Sequence, residues 1–143
     1  MTSIDQRFSK GKVWSDDNKR IFHDNTGYII LQADTCITLT ENKEGQWKDF
    51  MGMYKPEILK SKLFSVYLKH RKDAPASYVY LTLPATTQQK VRDFDSRSVH
   101  IIRNDKKAQA AVINDLCYAS VYHPTNLLID NDNPIAISEP GTY

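Results

Sequence analysis

The feature that most constrains this chain is an alternation of apolar and polar residues with a period of two, which marks strands half buried on a sheet. Across residues 63–69, Phe64, Val66 and Leu68 share one face, and Ser65, Tyr67 and Lys69 the other. Residues 77–83 repeat the pattern, with Val79, Leu81 and Leu83 opposite Tyr78, Tyr80 and Thr82. The polar stretch 70–76 between them contains Pro75 and reads as a hairpin-like loop. On this reading Phe64, Val66, Leu68, Val79, Leu81 and Leu83 build one core.

Residues 27–31 form a mostly apolar run, expected to be a strand buried on both faces. In residues 35–40, Ile37 and Leu39 alternate with Cys36, Thr38 and Thr40, and residues 42–45 read as a turn. Later strand candidates are 98–102, 108–113, 116–122, 127–129 and 135–137, with a turn signal over 130–134. One segment reads as helical: Thr86 with Gln89 three residues on fits a capping box, and Val91 and Phe94 anchor a turn or two on the sheet. Many short strands without crossover helices imply an all-β, antiparallel sandwich. No repeat or linker interrupts the 143 residues, so a single segment is expected.

Hydrophobic residues make up 41% and charged residues 25%, values that exclude a disordered chain. No apolar run approaches the ~20 residues that span a bilayer, so no membrane partner is expected. The first twenty residues are polar and carry no signal peptide, which implies either a cytosolic protein or a sequence that starts downstream of its export signal. A net charge of +2 is too small to imply nucleic-acid binding. The clustering of Lys69, Arg71 and Lys72 says more: it reads as a solvated turn or as one edge of a polyanion-binding surface.

Cys36 and Cys117 lack metal-ligand spacing and are too few for a disulfide framework, so they read as packing residues. His23, His70, His100 and His123 form no local zinc motif, and no metal or cofactor is expected. His100 reads as a packed or edge-strand residue. Asp24 could orient the His23 imidazole, but residues 24–27 are also a good turn, and the turn outweighs catalysis. There is no nucleophile elbow and no phosphate loop. Tyr28, Tyr78 and Tyr80 read first as strand packing, and second as a platform for sugar rings.

Several stretches, taken in order, resemble family 8 polysaccharide lyases, the family of chondroitin AC, hyaluronate and xanthan lyases. Thr2-Ser3-Ile4-Asp5-Gln6 followed by Lys10-Gly11-Lys12-Val13 is similar to the start of a strand pair in its central domain. Phe22-His23-Asp24-Asn25-Thr26-Gly27-Tyr28-Ile29 resembles its His-Asp-x-x-Gly-Tyr segment, and Gly45-Gln46-Trp47-Lys48 its Gly-x-Trp-x element. Residues 63–70 and 75–84 resemble paired strands ending in Leu-Pro. Gln109-Ala110-Ala111-Val112 and Pro134-Ile135-Ala136-Ile137 resemble later strands, the last near the entry to the C-terminal β domain, which residues 125–143 would then reach. One departure stands out: Lys69-His70-Arg71 occupies the place where the family often has Asp-His-Gly.

The resemblance implies a galactose mutarotase-like supersandwich in a secreted or periplasmic enzyme that cleaves acidic polysaccharides by β-elimination. It also implies that the catalytic Asn, His, Tyr and Arg come from a helical toroid, a partner that no segment here matches. No catalytic residue is therefore carried over. The expected function is a non-catalytic lyase segment, inactive alone, with Lys69, Arg71 and Lys72 as candidate contacts to an acidic polysaccharide. The alternatives are a self-standing carbohydrate-binding or adhesion module and, third, a small enzyme around His23 and Asp24.

Overall fold

The computed structural model describes residues 2–9, 11–17, 19–129 and 134–143. They form two compact units, residues 1–94 and 95–143. The turn signal over 130–133 lies outside the described residues.

The first unit contains β1 (Thr2–Phe8), β2 (Trp14–Asp16), β3 (Arg20–His23), β4 (Thr26–Gln32), β5 (Thr35–Gly45), β6 (Leu59–Lys69), β7 (Val79–Leu83) and α1 (Gln88–Arg92). Two antiparallel sheets, ordered β1-β6-β5 and β2-β3-β4-β7, bury a common core of Ile21, Tyr28, Ile30, Cys36, Phe64, Val66 and Leu68. Directly opposed residues share a face of an antiparallel pair, and the registers explain the core. Ile21 lies opposite Tyr28, Ile30 opposite Tyr80, and Cys36 opposite Leu68. The all-β sandwich reading and the inward face of β6 hold.

Three strand expectations for this unit fail. Strands β6 and β7 do not pair: β6 sits between β1 and β5, whereas β7 pairs with β4 in the other sheet. The loop between them is therefore a sheet-to-sheet connection. Tyr80, and not Val79, Leu81 and Leu83, is the β7 residue that packs on the core. Residues 42–45 do not turn, because β5 continues to Gly45 in register with β6 down to Leu59. In β5 Cys36 is buried opposite Leu68 and Thr38 half-buried opposite Val66, whereas Leu39 and Thr40 are exposed.

The 27–31 run is buried on both faces because the second sheet has a cover on its outer side, where Val91 of α1 is fully enclosed. Gly27 permits that approach: a Cβ there would lie 2.3 Å from Val91 Cγ2. The helix starts one residue later than expected. Thr87 is the N-cap, its hydroxyl accepting from the Lys90 amide at 3.3 Å. The buried Thr86 amide instead donates to the Asn25 carbonyl at 3.0 Å, and Gln89 donates to Asp93. Asp24 and Asn25, both at positive φ, form the two-residue turn between β3 and β4, a type I′ geometry that Asn and Asp tolerate.

The second unit contains β8 (Val99–Asn104), β9 (Ala108–Ile113), β10 (Leu116–Val121), β11 (Thr125–Leu128), β12 (Pro134–Ile137) and β13 (Gly141–Thr142). A sheet ordered β13-β10-β9-β8 and the ribbon β11-β12 enclose Ala108, Ala110, Ala119, Val121 and Leu127. Three alanines make this a thin core. Asp105 fastens the β8–β9 turn, accepting from the Lys107 and Ala108 amides and pairing with Arg103 at 2.7 Å. His100 is exposed on the edge strand β8.

Candidate functional site

The Asp24 turn brings His23 and Tyr28 to the inward face of the second sheet, and alternate positions of β1 deliver Asp5 and Arg7 to them. The Arg7 guanidinium donates to the Tyr28 hydroxyl at 2.7 Å, to the His23 carbonyl at 3.0 Å and to Thr26 Oγ1 at 3.2 Å. It also pairs with the Asp5 carboxylate at 3.2 Å, to which the Tyr28 hydroxyl donates. Burial, then the hydrogen bond to Asp5, raise the Tyr28 pKa above its ordinary value.

His23 is fully enclosed, stacked on Phe64 at 4.2 Å, with Nε2 2.9 Å from Ser9 Oγ. Its Nδ1 has no hydrogen-bond partner among the described residues. Burial first, and Arg7 second, hold its pKa below the usual histidine value. A catalytic serine–histidine pair needs a third group to orient the imidazole and a site for the reacting atom. Here Asp24 is spent in the turn, and Phe64 covers the ring. The cluster is a part-buried polar network that pins β1 to β3 and β4.

Lys69 ends β6 opposite Thr35, and Arg71 and Lys72 follow in the loop, all three exposed. The structure thus keeps the predicted basic trio together on one surface segment. His70 turns inward between them and packs on Tyr78 at 5.3 Å, and Tyr78 stacks on Tyr80 at 6.3 Å. Gln32 donates to Ser77 at 2.7 Å and ties the far side of this loop to β4. His70, between the basic groups, therefore connects their loop to rings rooted in the sandwich.

A second surface went unrecognised in the sequence. Between β5 and β6, Trp47, Tyr54, Lys55, Glu57 and Leu59 line a half-open cavity of about 240 Å³. The available signal was a run of large apolar residues (Trp47, Phe50, Met51, Met53, Tyr54) with no strand or helix period. Cys36 and Cys117 are both free thiols, and burial pushes the Cys36 thiol up to about 11, which makes it unreactive. Among the described residues, no group of three or more His, Cys, Asp and Glu is arranged to hold a metal.

Comparison with known proteins adds a family to this geometry. Residues 1–95, which span the first unit, match the super-sandwich domain of polysaccharide lyase family 8. A hyaluronate lyase of Thermasporomyces composti is 30% identical over 93 residues, 63% of this chain and 12% of that protein. The fold is shared with a solved chondroitinase AC lyase at a TM-score of 0.82 and 16% identity, covering 99% of this chain and 24% of that one. It is also shared with the chondroitin AC lyase of Streptomyces coelicolor A3, solved with chondroitin sulphate, at a TM-score of 0.73 and 22% identity over 88% of this chain and 18% of that one. The chain spans no more than a quarter of these relatives. With the match covering most of its length, the chain belongs to polysaccharide lyase family 8.

Proposed function

We propose that this chain is a non-catalytic β-sandwich segment of a secreted lyase that cleaves acidic polysaccharides of the chondroitin, hyaluronan or xanthan type. Its structural partner is a helical toroid that carries the chemistry, and Lys69, Arg71 and Lys72 add a weak, salt-sensitive hold on the polymer. β-Elimination requires a neutralised uronate carboxylate, a base for the C5 proton and an acid for the leaving oxygen. The observation that carries the non-catalytic reading is the burial of His23 and Tyr28, the two residues whose types suit that acid/base work. Phe64 covers the His23 ring, and the Tyr28 hydroxyl is held between Asp5 and Arg7.

The test follows the conjugated unsaturated uronide by ultraviolet absorbance. The chain alone is expected to give no turnover on chondroitin, hyaluronan or xanthan. Sustained turnover that disappears in His23→Ala contradicts the reading and restores the small-enzyme alternative. Exposed charge contacts are worth only ~0.2–1 kcal/mol each, so polymer binding through the basic trio is expected to fade as the Debye length falls from ~10 Å at 0.1 M salt to ~3 Å at 1 M. A Lys69/Arg71/Lys72 triple-alanine variant with wild-type affinity for chondroitin sulfate contradicts their role.

A further inference from the structure

The β5–β6 hairpin outruns the sandwich. Pairing of β1 with β6 stops at Phe8 opposite Leu63, and β5 and β6 continue to Gly45 opposite Leu59. Residues 46–58 close this arm with a 3-10 turn over Trp47–Asp49 and backbone bonds from Met51 to Trp47 (2.9 Å), Tyr54 to Met51 (3.1 Å) and Glu57 to Lys55 (2.9 Å). Connections of this length with so little secondary structure are uncommon in compact domains and are usually functional or disordered. The bonds make this one an ordered structure. The Trp47 ring lies 6.4 Å from Tyr54 and tilted 41° to it, with Phe50 at 6.2 Å on another side. Trp47 is 60% exposed and Tyr54 49%.

From this arrangement we infer that the cavity at the arm tip is a saccharide site that takes one uronate-bearing pyranose ring, an inference that rests on the polysaccharide reading above. The Trp47 and Tyr54 faces suit the apolar C–H face of a pyranose, which other side chains pack poorly. Lys55 and Glu57 bring opposite charges to the lining, one for a sugar carboxylate and one to accept from hydroxyls. A flat apolar contact would have no use for that pair. Sites for drug-sized ligands run ~300–1,000 Å³, so a cavity of about 240 Å³ suits a single ring, and its open side lets a polymer pass. Phe50 and Met53, 82% and 87% exposed, lie outside the lining and serve as controls.

The experiment is a titration of the whole chain with an unsulfated chondroitin tetrasaccharide and with neutral cellotetraose, followed by backbone amide chemical shifts. Saturable shifts are expected within residues 47–59. Trp47→Ala and, separately, Tyr54→Ala are expected to weaken binding at least tenfold, with unchanged sandwich resonances showing that each variant folds. Lys55→Gln should weaken the uronate ligand several-fold and leave the neutral one unaffected, and Phe50→Ala should stay within twofold of wild type. The Lys69/Arg71/Lys72 triple-alanine variant should retain the tip shifts. Shifts confined to the loop after β6 overturn the tip site and leave the polysaccharide reading intact, and silence in both places overturns both. Concentration-dependent tip shifts without sugar, lost in Trp47→Ala, assign the tip to a second copy of the chain and overturn the saccharide site.

Discussion

At the sandwich interior, His23, Tyr28 and Phe64 pack ring against ring with Asp5 and Arg7 satisfying the hydroxyl, and no ring is left to water. At the arm tip, Trp47, Phe50 and Tyr54 also meet ring against ring, with Lys55 and Glu57 beside them, yet each ring stays about half exposed or more. The two clusters draw on the same kinds of side chain for opposite ends. Where polar groups are enclosed, every unmade hydrogen bond is costly, so the network fixes geometry and stays out of reach. Where aromatics are left in water on an ordered loop, the unburied apolar surface is what the proposed saccharide site draws on.

Substitutions sharpen that contrast. Phe64→Ala opens the core under the His23 ring and is expected to destabilise the first unit by ~3–5 kcal/mol in denaturant unfolding. Arg7→Ala leaves the Tyr28 hydroxyl and the Asp5 carboxylate short of a partner, at a cost of about 1–3 kcal/mol. At the tip, Phe50→Ala and Trp47→Ala are expected to stay within about 0.5 kcal/mol of wild type. A tip variant as damaging as Arg7→Ala would erase the distinction.

Acid separates the two units as well. The His23 pKa is lowered in the folded state, so the unfolded chain binds the proton first. The first unit therefore has its full stability from this group above the ordinary value of about 6.5 and loses part of it as pH falls below that. His23→Gln should flatten the dependence. In the second unit, Arg103 and two amides hold the Asp105 carboxyl down to about 2. Its contribution is complete above about pH 4 and is lost as pH falls through about 2. Asp105→Asn should remove that loss, read from acid unfolding of the β8–β9 region by amide exchange.

Much of this fold was legible as strands, because period two identifies them without knowledge of their partners. The partners were not legible. The alternation in β7 says that Tyr80 and Leu81 face opposite ways, but not that Tyr80 is the one turned to the core. With α1 covering the outer face of that sheet, Leu81 and Leu83 have an apolar side of their own, and both faces of β7 look equally fit for burial. In β5 the alternation left the inward side open: Cys36 and Thr38, which face Leu68 and Val66 across the pair, are no more apolar as a row than Ile37 and Leu39. The basic trio was visible as composition. The Asp5–Arg7 contribution was missed because the apolar residues of β1, Ile4 and Phe8, stand at positions alternate to Asp5 and Arg7, so no apolar stripe pointed to the polar pair.

The most direct test of the central claim is a pH titration of the His23 ring by nuclear magnetic resonance, with and without chondroitin sulfate. The account predicts a midpoint below the ordinary histidine value of about 6.5, unmoved by the polysaccharide. A midpoint at or above 6.5 would contradict its enclosure, and one that shifts when the polymer is added would contradict its place in a structural network apart from the substrate.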